Sequence, residues 1–338
     1  MQDQPSGISD ASRPAINIVS RLNGVGLDRD VRLLQDACAS YANSCVRSRR
    51  SPHPMVDWFS RTILRSNHQL GSLNLLVERI PAAWLCASPN LLLPNQERFP
   101  RRHVSRLRRI ATVLCKTRHA EEIFRQHTPN VQYLGFTSCD RLNPSLSPDY
   151  RKFLHLAGRS TLKGTQTVLD LWGANPDWPT LTLIQHPENA PTIVPDNVNL
   201  ISRYLTDEEL VTIQNQHGIH LCPSKSEGWG HYIAEAMSVR AVVVTTDAPP
   251  MNELVGHGRG VLVPVCASKP RKLGFSFDVD PAQLQTTIED LQHESVEALR
   301  SIGVAAREWF LENDRQFKVR LQQAINPLRA SISGANPP

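Results

Sequence analysis

Apolar positions along the chain alternate between short Leu-, Ile- and Val-rich runs and stretches in which they recur every three or four residues. The first kind reads as buried strand and the second as a helix covering a sheet. The pattern predicts strands at 16–21, 73–78, 91–94, 110–116 and 131–136, with helices at 29–41, 58–65 and 118–127. A polar, proline-containing stretch at 137–149 interrupts it. The alternation then restarts, with strands at 153–157, 181–185, 199–202, 219–222 and 242–246 and helices at 165–172, 207–216 and 231–238. Asp280-Pro281 supplies a helix cap followed by proline in the first turn, so 282–291 reads as helix, and 298–310 and 316–328 read as two closing helices.

A βα alternation that begins, breaks and begins again implies an α/β protein of two Rossmann-like βαβ domains with a cleft between them. The boundaries expected are 14–145 and 150–310, with 311–330 a last helix that crosses back to the first domain. A chain of 338 residues is long enough for two such cores. Residues 1–13 are polar, without the basic-then-apolar order of a signal peptide, and no run nears the roughly 18 apolar residues of a membrane span. Seven scattered cysteines, none in a CxxC pair, indicate neither a disulfide framework nor a zinc site. A cytoplasmic location is expected, with the inner membrane surface as an alternative peripheral site.

The net charge of +5 hides an asymmetry: 20 Lys and Arg stand against 12 Asp and Glu in 1–150, and 17 against 20 in 151–338. Much of the excess lies in Arg47, Arg49, Arg50 and the run from Arg98 to Arg109. With Val104, Leu107 and Ile110 on one side and Arg101, Arg102, Arg106 and Arg108 around them, that run suits peripheral contact with an anionic membrane. A solvated surface is the plainer reading, and nucleic acid is less favoured.

The segment from Pro223 to Met237, PSKSEGWGHYIAEAM, follows a strand, turns through glycines and enters a helix. Amides at such a helix start point into the crevice at the strand ends, where open α/β sheets bind anions. Gly228 and Gly230 permit close approach of backbone to phosphate. Glu227 and Glu235 lie just before and about one turn inside the helix, so two carboxylates can accept hydrogen bonds from vicinal hydroxyls. Read plainly, Glu227 is only a favourable charge at a helix N-terminus, worth roughly 0.3–1 kcal/mol. A second loop, Ala157-Gly-Arg-Ser-Thr-Leu-Lys-Gly164, changes the balance by placing Arg159 and Lys163 at the edge of the same sheet. There they would neutralise a diphosphate and stabilise it as a leaving group.

Over roughly 153–265 the chain resembles the family 4 (group 1) retaining nucleotide-sugar glycosyltransferases of GT-B fold. The resemblance rests on the Gly-Arg…Lys-Gly loop, the stretch from Asn197 to Leu210, Cys222-Pro-Ser, the Glu-x7-Glu of Glu227 and Glu235, and the stretch from Thr246 to Leu254. It implies a hexose moved from a nucleoside diphosphate to an acceptor with retention, Glu227 near the reacting carbon and Glu235 at the ribose. Amides around Trp229, Gly230, His231 and Tyr232 would hold the diphosphate and the backbone near Leu205 the base. Three departures stand out: Arg159 and Lys163 are four apart where five is common, and Arg240 and Arg203 occupy places where glycine is frequent. The first half resembles the family less. Gly24 and Gly26, in Asn-Gly-Val-Gly, would form a loop approaching the donor, although the third glycine of a dinucleotide fingerprint is missing. Asn95, Glu97 and Lys116 end strands and are the candidates for acceptor contacts, with strand-end capping as the alternative.

No cofactor and no catalytic metal are expected. Asp278-Val-Asp280 matches a DxD metal signature, yet helix capping accounts for Asp280. The partners expected are a nucleoside diphosphate sugar and a glycan, lipid-linked or protein acceptor. The alternatives are a nucleotide-sugar epimerase of the same fold and a non-catalytic nucleotide-sugar-binding protein.

Overall fold

A computed structural model describes residues 15–20, 26–48, 73–85 and 89–333. The helix expected at 58–65, and Gly24, Arg49 and Arg50, lie outside the described residues. Contacts divide the chain into two units: Met1–Leu93, His103–Leu114 and Lys318–Pro338 form one, and Pro94–Arg102 with Cys115–Phe317 the other.

The first sheet contains β1 (Ala15–Ser20), β2 (Asn43–Ser48), β3 (Leu73–Glu78), β4 (Asn90–Pro94), β5 (Thr112–Cys115) and β6 (Val131–Tyr133) in the order β2-β1-β3-β4-β5-β6. The pairs β1–β2, β1–β3 and β4–β5 run parallel. Strand β3 is buried along its whole length, Asn74 and Glu78 included, as expected of a strand covered on both faces. Three buried amides cross the sheet in one line, Asn17 donating to Asn74 at 3.0 Å and Asn74 to Asn90 at 3.1 Å. Each thereby satisfies polar atoms that burial would otherwise penalise. Helix α1 (Gly26–Cys38) buries Leu27, Val31 and Leu34. Strand β2 escapes the pattern reading because Asn43-Ser-Cys-Val-Arg-Ser48 holds a single Val among polar residues.

The second sheet has the order β12-β11-β10-β7-β8-β9, with every neighbouring pair parallel. Its strands are β7 (Asp149–Gly158), β8 (Leu181–Gln185), β9 (Val198–Ile201), β10 (His217–Cys222), β11 (Val242–Thr246) and β12 (Val261–Val263). Phe153, Trp172, Leu181, Leu183, Ile219, Leu221, Val242 and Val244 belong to one fully buried core. Helices α3 (Thr165–Ala174), α4 (Asp207–Gln216) and α5 (His231–Ser238) start where the pattern placed them. The start of α4 is fixed by a capping box in which Thr206 and Glu209 exchange hydrogen bonds.

Two expectations need correction. The closing helices at 298–310 and 316–328 are one continuous helix, Val296–Ser333. The polar residues between them continue the helix. Asn313 in that stretch is buried and donates to the Phe136 carbonyl at 2.7 Å. The second correction is an antiparallel hairpin, β13 (Val265–Arg271) with β14 (Gly274–Val279), that the pattern did not reveal. All of β13 but Arg271 is exposed, so no buried face imposes an apolar alternation.

Candidate functional site

In the second sheet β7 and β10 are neighbours, and the chain winds outward from them in opposite directions, through β8 and β9 on one side and β11 and β12 on the other. The crevice at the carboxyl ends of β7 and β10 is therefore the topological switch point, the usual ligand site of such sheets. Strand order cannot be read from sequence, and it places both candidate loops at that point. The loop after β7 ends at Gly164, with φ of +71°, and that after β10 at Gly230, with φ of +106°. Each glycine begins a helix, and no side chain caps either start, leaving amide donors of the first turns for an anion.

The loops are stitched together. Lys225 N donates to the Leu162 carbonyl at 2.8 Å. A Cβ on Gly164 would lie 2.3 Å from the Pro223 carbonyl oxygen. Gly164→Ala therefore combines a forbidden contact with a left-handed backbone that costs about 1–2 kcal/mol on its own. It is expected to lower stability by at least about 2 kcal/mol, read as a fall in melting temperature. An unchanged melt would mean the two loops separate freely.

Lys163 and Glu227 meet at this point. The Lys163 ammonium lies 2.5 Å from Glu227 Oε1 and 3.5 Å from the centre of the Tyr232 ring. Ser224, which the sequence reading passed over, donates to the same Oε1 at 2.5 Å and lies 2.5 Å from the Tyr232 hydroxyl. Because the Ser224 proton is committed to Glu227, Tyr232 must donate to Ser224. Burial pushes the Tyr232 phenol well up, which keeps that proton in place. Both polar contacts fall on Oε1, and among the described residues no hydrogen bond reaches Oε2.

Arg159 behaves differently from Lys163. It is more than half exposed and forms a bidentate pair with Glu188, at 2.6 to 2.9 Å. The loop holds both cations, but Lys163 alone touches Glu227. Glu235 is buried inside α5, at 2% exposure, so it is no solvated helix residue. Trp229 is buried and its indole donates to Ser138 at 3.2 Å, while His231 Nδ1 lies 2.9 Å from the same hydroxyl. Ser138 thus orients both side chains, a role no sequence motif marks. Gly228 packs against Asn95, where a Cβ would come within 2.6 Å of Oδ1. Leu205 follows β9, two strands across the sheet from β7, and shares no hydrogen bond with Lys163 or Glu227. Gly26 opens α1 in the first unit.

The three acceptor candidates belong to the second unit with Glu227. Gln96, between two of them, donates from its amide to the Glu227 carbonyl at 3.0 Å. Among the described residues, buried side-chain oxygens of Asn95, Gln96 and Glu97 have no hydrogen-bond partner, which burial makes costly. Lys116 is 2% exposed, its ammonium 4.4 Å from the Phe136 ring centre. Burial, with the Glu227 charge adding to it, lifts the Glu97 carboxyl to about 7. In the folded chain Glu97 holds its proton across the window from about 4.5 to 7, where the unfolded chain has lost it. Its contribution is therefore full below that window and disappears as pH rises through it. Glu97→Gln should flatten stability against pH by roughly 2–4 kcal/mol over this range, measured by denaturant titration. An unaltered profile would remove Glu97 from the buried cluster.

Two of the three departures from the resemblance have a local setting in the structure. Arg240, after α5, adopts φ of +65°, the left-handed geometry for which glycine is usual behind a helix. Arg203 pairs with Glu209 at 2.7 Å. Asp280 caps the helix Pro281–His293, accepting from Ala282 N and Gln283 N, and Asp278 is paired with Lys225 at 2.6 Å. His119 sits in the first turn of helix α2 (Arg118–Arg125). Arg106 departs from expectation: it turns inward, donating to the Ile80 carbonyl at 2.6 Å. It is not available to a membrane as the amphipathic reading assumed.

Two six-stranded parallel sheets with this switch-point site define the GT-B architecture of glycosyltransferases. Solved structures of that kind match nearly the whole chain. A sucrose-phosphate synthase from Thermosynechococcus elongatus matches with TM-score 0.71 at 14% identity, over 94% of this chain and 100% of its own. A glycosyltransferase from Rickettsia africae gives 0.69 at 12%, over 96% and 100%. Alr3699/HepE of Anabaena, in complex with UDP, gives 0.66 at 14%, over 94% and 100%. At these identities the likeness is one of fold. Within the chain, residues 192–273 match the family described as glycosyl transferases group 1, a span that includes Glu227, Glu235 and the uncapped start of α5. No curated protein matches the chain by sequence.

Proposed function

We propose that this protein is a retaining glycosyltransferase that moves a hexose from a nucleoside diphosphate to the hydroxyl of a glycan or lipid-linked glycan. The reading is carried by the Lys163–Glu227 pair, 2.5 Å apart at the switch point beside two uncapped helix starts. The helix-start amides and Lys163 bind the diphosphate, and Glu227 Oε2 accepts a hydroxyl of the donor sugar. The bond from the anomeric carbon to the phosphate oxygen breaks as the acceptor oxygen bonds the same face. The acceptor proton passes to the departing phosphate oxygen, so the protein supplies position and charge rather than a covalent partner. Glu235, inside the same helix, meets the ribose. Asn95, Gln96 and Glu97 receive donors from the acceptor, and UDP is the first nucleotide to try, given the UDP held by the Anabaena relative.

Calorimetry with a panel of nucleoside diphosphates tests the binding half. Tight binding of one member is expected, unaffected by EDTA because no metal is assigned a part. Binding that vanishes with EDTA and returns with manganese would bring Asp278 back as a ligand, and binding of none would end the reading.

A further inference from the structure

The segment 95–102 is joined to the β13–β14 hairpin as well as to Glu227. Leu273 N donates to the Gln96 carbonyl at 3.3 Å, and Arg101 Nε to the Lys272 carbonyl at 3.3 Å. Between the two elements lies a groove of about 420 Å³ lined by Pro100, Arg101, Arg102, Pro270 and Lys272. Arg98, Lys269 and Arg271 lie in the same two segments of sequence. The only acidic residue in 95–102 and 265–274 is Glu97, which is buried and has its carboxyl lifted to about 7. Among the described residues no carboxylate pairs with Arg101, Arg102, Arg271 or Lys272.

The hairpin turn strengthens the case. Arg271 pairs with Gly274, which leaves Lys272 and Leu273 as a two-residue turn, and Lys272 has φ of +56°. Glycine is the usual residue at a first turn position with positive φ. Lys272 thus holds a left-handed backbone in the lining of a cationic groove.

Two prolines and three cationic residues line the groove. Such a groove takes a ring bearing an anionic ester better than it takes a flat bilayer. We propose that the groove is a subsite for an anionic glycan, in which Arg101, Arg102 and Lys272 hold a sulfate or phosphate group while a proline ring packs on the sugar. Resting on the transferase reading, this makes the acceptor an acidic glycan whose charged group sits beyond Gln96 from the reacting hydroxyl. Guanidinium and ammonium groups bind such esters through charge-assisted hydrogen bonds, and screening by salt follows.

The test uses a fluorescent heparin hexasaccharide as the sulfated probe, maltohexaose as its neutral counterpart and phosphatidylglycerol vesicles as the membrane arm. Three proteins are compared: the full chain, Arg102→Glu/Lys272→Glu, and Lys152→Glu/Arg315→Glu, which carries the same charge change elsewhere on exposed surface. The inference expects the heparin fragment to bind the parent, maltohexaose not to, and the groove variant to lose about tenfold or more, with the control variant near the parent. Arg102→Gln/Lys272→Gln should show a smaller loss in the same direction. Equal losses in groove and control variants, or no binding of the fragment at 0.15 M salt, would overturn the proposal. So would vesicle binding that the groove variant abolishes while fragment binding stays intact. None of these readouts needs a sugar donor, so a failure of donor turnover would count against the transferase reading and leave the groove to be decided separately.

Discussion

Glu227→Gln is expected to reduce sugar transfer by about 100- to 1000-fold, about 3–4 kcal/mol of barrier, while nucleoside diphosphate binding stays within a few fold. The asymmetry follows from where the carboxylate sits. Oε1 is occupied by Lys163 and Ser224, so the charge is positioned before any ligand arrives. The sugar gains positive character only as its bond to phosphate lengthens, and a fixed negative charge then matters far more than in the ground state. Glutamine keeps the shape and the contact to Ser224 but not the charge. Transfer within about threefold of the parent, well under 1 kcal/mol, would take Glu227 out of the chemistry.

Lys163→Ala is expected to weaken nucleoside diphosphate binding by about 10- to 100-fold, in line with about 1.5–3 kcal/mol for a hydrogen bond to a charged group. Binding of the corresponding nucleoside should change little, since Lys163 is assigned to phosphate. Arg159→Ala should cost less than Lys163→Ala, because Arg159 and its partner Glu188 are more than half exposed whereas Lys163 and Glu227 are largely buried. An exposed pair of that kind contributes little. Equal losses for diphosphate and nucleoside in Lys163→Ala would show that the site is deformed rather than stripped of a phosphate contact. A larger loss for Arg159→Ala would mean that Arg159 leaves Glu188 when ligand binds.

Much of the second unit was legible because its elements carry redundant local signals. Thr206 and Glu209 mark the start of α4, Asp280-Pro281 marks another helix, and Val242–Thr246 has no helical period to confuse it. What escaped has a physical reason in each case. The β13–β14 hairpin is mostly exposed and so has no apolar code, and β2 carries one Val among polar residues. The last helix is continuous across 311–315, between the two helices expected from sequence, where Asn313 is buried against the Phe136 carbonyl. At the candidate site the Glu-x7-Glu spacing and the Arg159–Lys163 loop pointed to one sheet edge. The meeting of Lys163 with Glu227 depends on β7 lying beside β10, a long-range pairing with no local trace. Gln96 and Ser138 were missed because their partners Glu227, Trp229 and His231 are far away in sequence, and Ser224 because its role appears only once the turn after β10 brings Glu227 and Tyr232 back onto it.

The most direct test of transferase activity is release of nucleoside diphosphate from a panel of nucleotide sugars, with and without neutral and acidic glycan acceptors. One donor should be consumed, faster with acceptor, and the new glycoside should keep the anomeric configuration of the donor. Isomerised donor or free sugar formed at the same rate without acceptor would mark an epimerase or hydrolase instead, and a donor that binds but is never consumed would mark a binding protein.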